Sequence, residues 1–171
     1  MDPRLAERVA LVKRILNSNW YLTLSTVDEN NNPWVSPVFF VTDKQSNFYW
    51  ISAVHSQHSE NIARNHKVAA IVYDTQAAFG MGNGVYIKGT VEIVSDDKVE
   101  GILEMITQRK RETSPDGQVT VRDASGFKAD SPWKIYQLTA AQVWTLKESF
   151  EPKGYPGDFR VEVPVSDLKS I

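Results

Sequence analysis

The stretch from Trp20 to Ser52 decides the fold. Trp20-Tyr21-Leu22-Thr23-Leu24-Ser25-Thr26-Val27 is β-branched and aromatic, and it runs into Asp28-Glu29-Asn30-Asn31-Asn32-Pro33. Trp34-Val35-Ser36-Pro37-Val38-Phe39-Phe40-Val41 follows, then Lys44-Gln45-Ser46, then Phe48-Tyr49-Trp50-Ile51-Ser52. Aromatic and β-branched side chains suit a pleated, half-buried surface, and the Asp/Asn/Pro and Lys-Gln-Ser pieces have turn chemistry. Three such runs joined by two short turns predict an antiparallel meander.

Upstream, Asp2-Pro3 is a helix start, and Leu5, Val9, Val12, Ile15 and Leu16 recur at helical spacing, which predicts an amphipathic helix over 3–17. Downstream, Ser56 to Asn65 reads as a short helix with Ser56 at its N-cap, and Val68-Ala69-Ala70-Ile71-Val72-Tyr73 as a buried strand. Gly80-Met81-Gly82-Asn83-Gly84 is a loop, and residues 85–94 alternate as a strand does. Ser95-Asp96-Asp97 is placed to cap a helix with Val99, Ile102, Leu103 and Ile106 on one face. Residues 113–131 read as a long loop, 133–145 as a strand, and 150–165 as irregular apart from 159–163. The sum is a single α+β domain over 1–171, mainly β, with six antiparallel strands closed as a small Greek-key barrel and flanked by helices.

Composition narrows the function. Nineteen Lys and Arg against 21 Asp and Glu leave a net charge of −2, so no excess of cations is present to neutralise phosphates and no nucleic-acid partner is expected. The chain has no cysteine, which excludes disulfides, iron–sulfur clusters and thiolate zinc sites and fits a cytoplasmic location. No stretch approaches the ~20 apolar residues of a membrane span, so no membrane partner is expected.

The segment with the most chemistry is Ser52-Ala53-Val54-His55-Ser56-Gln57-His58-Ser59-Glu60-Asn61. Here a strand ends, hydroxyls and imidazoles crowd a tight connection, and a helix begins. N–H groups at a helix N-terminus, with serine hydroxyls and an imidazole beside them, make an anion or phosphate site. Local spacing alone favours Ser56 as a plain N-cap and His55 and His58 as surface residues. A metal site is not expected, because His55, His58 and His66, the only histidines, lack the i, i+4 pairing of helix-borne zinc ligands. The Gly80–Gly84 loop does not have G-x-G-x-x-G or GK[ST] spacing, and no G-x-S-x-G elbow occurs. Trp34, Trp50, Tyr73, Trp133 and Trp144 read individually as core or interface residues, with Trp34 and Trp50 on adjacent strands near the candidate phosphate site.

The order of these segments resembles the pyridoxamine 5′-phosphate oxidase-like flavoproteins over about residues 5–145. The resemblance implies a split β-barrel, FMN at a homodimer interface, and flavin-mediated hydride or electron transfer with an unidentified small-molecule substrate. It implies that Trp34, Ser36, Pro37 and Val38 line the isoalloxazine, and that Ser52, Ser56, Gln57, His58 and Ser59 hold the ribityl phosphate. It further implies that Tyr73, Asp74 and Trp144 are supplied by the partner. Family members often carry Arg or Lys where Gln57 and His58 stand, and the Arg-rich C-terminus of the true pyridoxamine phosphate oxidases is missing. Two alternatives share the fold: a flavin- or haem-binding module without turnover, and a reductase using a deazaflavin such as F420. No catalytic side chain stands out, as expected where the reactive atoms belong to a cofactor.

Overall fold

The computed structural model describes residues 4–79, 82–120, 122–146 and 160–169. Asp2-Pro3, Gly80-Met81 and the part of the irregular tail before Arg160 lie outside the described residues. The elements are α1 (Leu5–Ser18), β1 (Tyr21–Val27), β2 (Pro33–Phe39), β3 (Val41–Thr42), β4 (Asn47–Ala53), α2 (Gln57–Arg64), β5 (Lys67–Tyr73), β6 (Gly84–Ile93), α3 (Val99–Thr113), β7 (Trp133–Leu146) and β8 (Arg160–Glu162). One antiparallel sheet runs β2-β1-β5-β6-β7-β4-β3, with β8 beside β7. It curls into a split barrel with helices outside, the α+β class expected, but with eight strands among the described residues in place of six. The extra two come from a break at Phe40, which divides the second run, and from the short β8.

That break corrects the meander. β2 pairs only with β1, from Val27↔Pro33 to Tyr21↔Phe39. β3 pairs with β4 through Val41↔Tyr49 and Thr42↔Phe48. β4's long ladder is with β7, from Asn47↔Thr139 to Ala53↔Trp133. Phe40, 1% exposed, sits at the bend with its N–H on the Trp20 carbonyl at 3.2 Å. The two local turns do form hairpins, but barrel closure puts the β1–β5 and β4–β7 ladders between them. Trp34 and Trp50 are therefore not on neighbouring strands: Trp34 faces Thr26, and Trp50 faces Tyr136.

The barrel interior is filled by Leu22, Leu24, Val38, Phe40, Phe48, Trp50, Val72, Ile87 and Leu138, and α1 adds Val12, Ile15 and Leu16. Trp50 stacks on Tyr136 with centroids 5.8 Å apart and planes at 12°, a pair that contributes beyond its area. A second cluster lies outside the barrel, where Val99, Leu103 and Ile106 of α3 meet Val41, Tyr49, Ile135 and Phe127. Phe127 belongs to a 3-10 turn, Ala124–Phe127, that anchors the expected 113–131 loop. α3 has Lys98 at its N-cap with no side-chain cap bond, so Ser95-Asp96-Asp97 forms a preceding turn and does not cap the helix.

No helix among the described residues is long and apolar enough to cross a membrane. At the register shift between Lys88 and Gly89 the β6–β7 ladder bulges. A Cβ on Gly89 would collide with the Thr139 carbonyl oxygen and come within 2.8 Å of Leu138 Cδ1. Gly89→Ala is expected to cost about 3 kcal/mol, because the obstacle is backbone that cannot step aside. Urea denaturation of the variant checks this, and unchanged stability would contradict the close packing of β6 on β7.

Candidate functional site

The site grows from where three elements end. β4 delivers Ser52, 6% exposed, at the barrel's rim. The turn Ala53–Ser56, closed by Ser56 N–H to the Ala53 carbonyl at 3.1 Å, reverses the chain into α2. β2 lies alongside and, alternating along its length, presents Trp34, Ser36 and Val38 on the site side. The opposite parity, Val35 and Pro37, is exposed on the outer face, so Pro37 reaches a ligand on the site side through its backbone only.

His58 is the hub. Its Nε2 lies 2.7 Å from Ser52 Oγ and 3.1 Å from Ser56 Oγ, and its Nδ1 lies 3.2 Å from Ser36 Oγ. Ser56 Oγ also donates to Ser59 Oγ at 2.8 Å. Trp34 Nε1 donates to Ser36 Oγ at 3.0 Å. Ser56 therefore occupies the N-cap position but makes no side-chain cap bond; its hydroxyl serves the cluster. His58 is half-buried and not a surface residue, whereas His55 is exposed. His66 is committed elsewhere, its Nδ1 on the Val91 carbonyl at 2.8 Å.

Burial pushes the His58 imidazole below its ordinary value, with no charged neighbour contributing. The ring is thus neutral at pH 7, so the cluster is a set of hydroxyls around an uncharged imidazole. The first turn of α2 faces this set with N–H groups that have no intrahelical partner. Such a donor-rich, uncharged corner suits an anion, since the helix N-terminus carries partial positive charge.

Gln57 is exposed and turns away, its Nε2 donating to Asn61 Oδ1 at 2.9 Å. Asn61 is wholly buried and donates from Nδ2 to Thr26 Oγ1 at 3.0 Å, pinning α2 to β1. Tyr136 is buried, and its phenol is pushed up by desolvation while hydrogen-bonding to Ser59. Asn61, Thr26 and Tyr136 support the site, yet reading the sequence does not find them, because their partners come from distant strands.

Tyr73, Asp74 and Trp144 are not brought to this cluster within one chain. Trp144 stands opposite Tyr86, ten residues along β7 from Lys134, the residue opposite Ser52; that is about 33 Å of strand. Its side chain shares an outer-face row with Tyr86, Ile71, Thr23 and Pro37, read across β7, β6, β5, β1 and β2. Tyr73, 46% exposed, lies one step along on the same face, with Tyr21 at 60% and Val35 at 56%. Asp74, exposed, accepts the Gln76 N–H at 2.8 Å.

Residues 10–147 match the family model described as pyridoxamine 5′-phosphate oxidase. The chain belongs to the pyridoxamine 5′-phosphate oxidase family, a class that includes oxidoreductases. No curated protein is similar enough in sequence to match. Among solved structures, a Clostridium acetobutylicum protein related to general stress protein 26 is 13% identical, with a TM-score of 0.62 over 95% of this chain and 97% of that one. The haem storage protein of Vibrio cholerae is 16% identical, TM-score 0.59, over 78% and 89%. A haem binding protein of Mycobacterium smegmatis is 15% identical, TM-score 0.65, over 99% and 61%. These likenesses show the fold.

A buried imidazole whose proton affinity is lowered makes stability pH-dependent. The unfolded chain binds a proton at His58 more readily than the folded one, so this stability is present above the ordinary histidine value. It is lost as pH falls through the lowered one. The ligand-free protein is therefore expected to lose stability as pH falls from about 7 through the ordinary histidine value toward the lowered one, and His58→Gln is expected to flatten that loss. Urea midpoints across the interval check it; equal slopes for both proteins would contradict the burial of a neutral ring.

Proposed function

We propose that this chain is an FMN-binding oxidoreductase acting on a small molecule, with each flavin held between two copies of the chain. The observation that carries the reading is the convergence of Ser36, Ser52, Ser56, Ser59 and His58 at the first turn of α2, in a member of a family that includes oxidoreductases. The donor set fits a phosphate: hydroxyl, ring and backbone N–H donors converge, and no carboxylate bonds to the ring. Ser52, Ser56, His58 and Ser59 would hold the ribityl phosphate, and Gln57 would join them by turning from Asn61. Trp34, Ser36 and Val38 would face the flavin ring, with the Pro37 backbone beside it. FMN, when bound, supplies the hydride or electron chemistry.

The protein's own part is to bind, orient and exclude water. Ser36, 9% exposed, is held by Trp34 and His58, which fixes the position of its oxygen. The apolar outer-face row, ending in Trp144 and flanked by exposed Tyr21, Val35 and Tyr73, supports a second copy as its partner. An exposed patch of this kind marks an interaction surface, and a two-fold dimer would bring Tyr73, Asp74 and Trp144 of each copy toward the other's site. FMN is favoured over haem at this corner because haem iron needs an axial ligand, and His58, the imidazole of the cluster, has both ring nitrogens engaged.

Charge-assisted bonds to phosphate contribute roughly 1.5–3 kcal/mol each. FMN is therefore expected to bind at least about tenfold more tightly than riboflavin, because ~1.4 kcal/mol is a factor of ten. Flavin fluorescence titration measures both. Equal affinities would refute the phosphate assignment. Bound FMN reduced by NADH or NADPH and reoxidised by a small acceptor is the expected sign of turnover, and a flavin that no nicotinamide reduces would favour a binding module.

A further inference from the structure

The polar contacts of His58 also bear on where its proton sits. An indole N–H can only donate. Ser36 Oγ accepts from Trp34 Nε1 and keeps one lone pair and its hydroxyl proton, either of which can meet His58 Nδ1. Ser56 gives its own proton to Ser59, so it accepts at His58 Nε2. With Ser56 accepting, the hydrogen-bond network assigns the resting ring the neutral Nε2–H tautomer, its proton shared between Ser52 and Ser56 and its Nδ1 lone pair receiving the Ser36 hydroxyl.

Among the described residues, no ionised group balances a charge on this ring. β2 carries no titratable side chain, and β1 offers only Tyr21 and β4 only Tyr49, both at outward-parity positions. Tyr49 donates to Asp43. On the 54–64 segment His55 is exposed, and Arg64 pairs with Glu29 at 3.7 Å; Glu60, the segment's carboxylate, does not contribute at the ring. From β7, Lys134 binds the Ala129 carbonyl and Tyr136 reaches only Ser59. A positive ring at a helix N-terminus is disfavoured by the helix dipole, and an anion docked there reverses the sign of that field.

Resting on the phosphate reading above, we infer that binding of a phosphate-bearing ligand at the α2 N-terminus is coupled to uptake of one proton from solvent at His58 Nδ1, with Ser36 as the positioning residue that receives it. On protonation the Ser36 hydroxyl rotates, accepts from Nδ1–H as well as from Trp34, and both of its lone pairs are filled. Nε2–H remains directed at the Ser52–Ser56 corner. Between the free and bound titration points the site thus becomes cationic only when an anion occupies it. The cation is favoured in the complex and disfavoured in the free protein, so the coupling is fully satisfied below the free-state titration point. Affinity falls as pH rises, by up to about tenfold per pH unit between the free and bound titration points.

The test uses the whole protein with FMN and riboflavin as probes. Calorimetry at pH 7.5 in buffers of different ionisation enthalpy counts protons taken up; a phosphate's second ionisation, near ~6, is complete there and adds little. The expected result is proton uptake with FMN, none with riboflavin, and none with FMN in His58→Lys. Nitrogen NMR of the free wild-type ring, which needs no variant to fold, is expected to report Nε2–H, changing to the doubly protonated form with FMN. FMN binding more tightly than riboflavin with no proton uptake, or a free ring protonated at Nδ1, would overturn the inference and leave the phosphate site standing. Equal binding of the two flavins would overturn both.

Discussion

Everything in this molecule that bears on function depends on the buried bend at Phe40. The run from Pro33 to Thr42 serves two ladders, pairing with β1 before the bend and with β4 after it. A sheet ordered β2-β1-β5-β6-β7-β4-β3 has its two edges in one continuous segment of chain, so curling it brings those edges together. Ser36 on one edge then stands beside the end of β4 and the start of α2. The three-way contact of Ser36, Ser52 and His58 follows from that closure. The burial of Phe40 against Phe48, with centroids 5.8 Å apart, holds it in place.

The site works with hydroxyls and a neutral ring, and no fixed cation among the described residues bonds to it. Three elements contribute, each tied down separately: α2 to β1 by Asn61 and Thr26, α2 to β7 through Ser59 and Tyr136, and α2 to β2 by His58 and Ser36. Such cross-bracing keeps donors aimed without a ligand to order them, which lowers the entropic cost of binding. A site of this kind is uncharged when empty, in keeping with a chain whose net charge is −2.

Strand positions are legible in the amino-acid sequence through period and turn chemistry, and adjacency alone puts Ser52, Ser56 and His58 in one tight connection. Pairing is less legible: the turns at Asp28–Asn32 and Asp43–Asn47 identify hairpins, but nothing local says that β4 will choose β7 over β2. The same non-local closure hides Ser36–His58 and Asn61–Thr26, contacts between residues 22 and 35 apart. Ser56 shows the opposite failure. Its position is that of an N-cap, yet competing polar neighbours draw its hydroxyl away from the backbone.

The shared-site account is tested most directly by sedimentation velocity of the flavin-loaded and flavin-free protein across a dilution series, with flavin absorbance followed in the same runs. A ligand that binds the dimer but not the monomer stabilises the dimer, by about 2.7 kcal/mol at a hundredfold excess over its dissociation constant. The account predicts that flavin sediments with the dimer, that removing it raises the dimer dissociation constant, and that dilution to monomer releases it. A monomer that retains full flavin occupancy would contradict it.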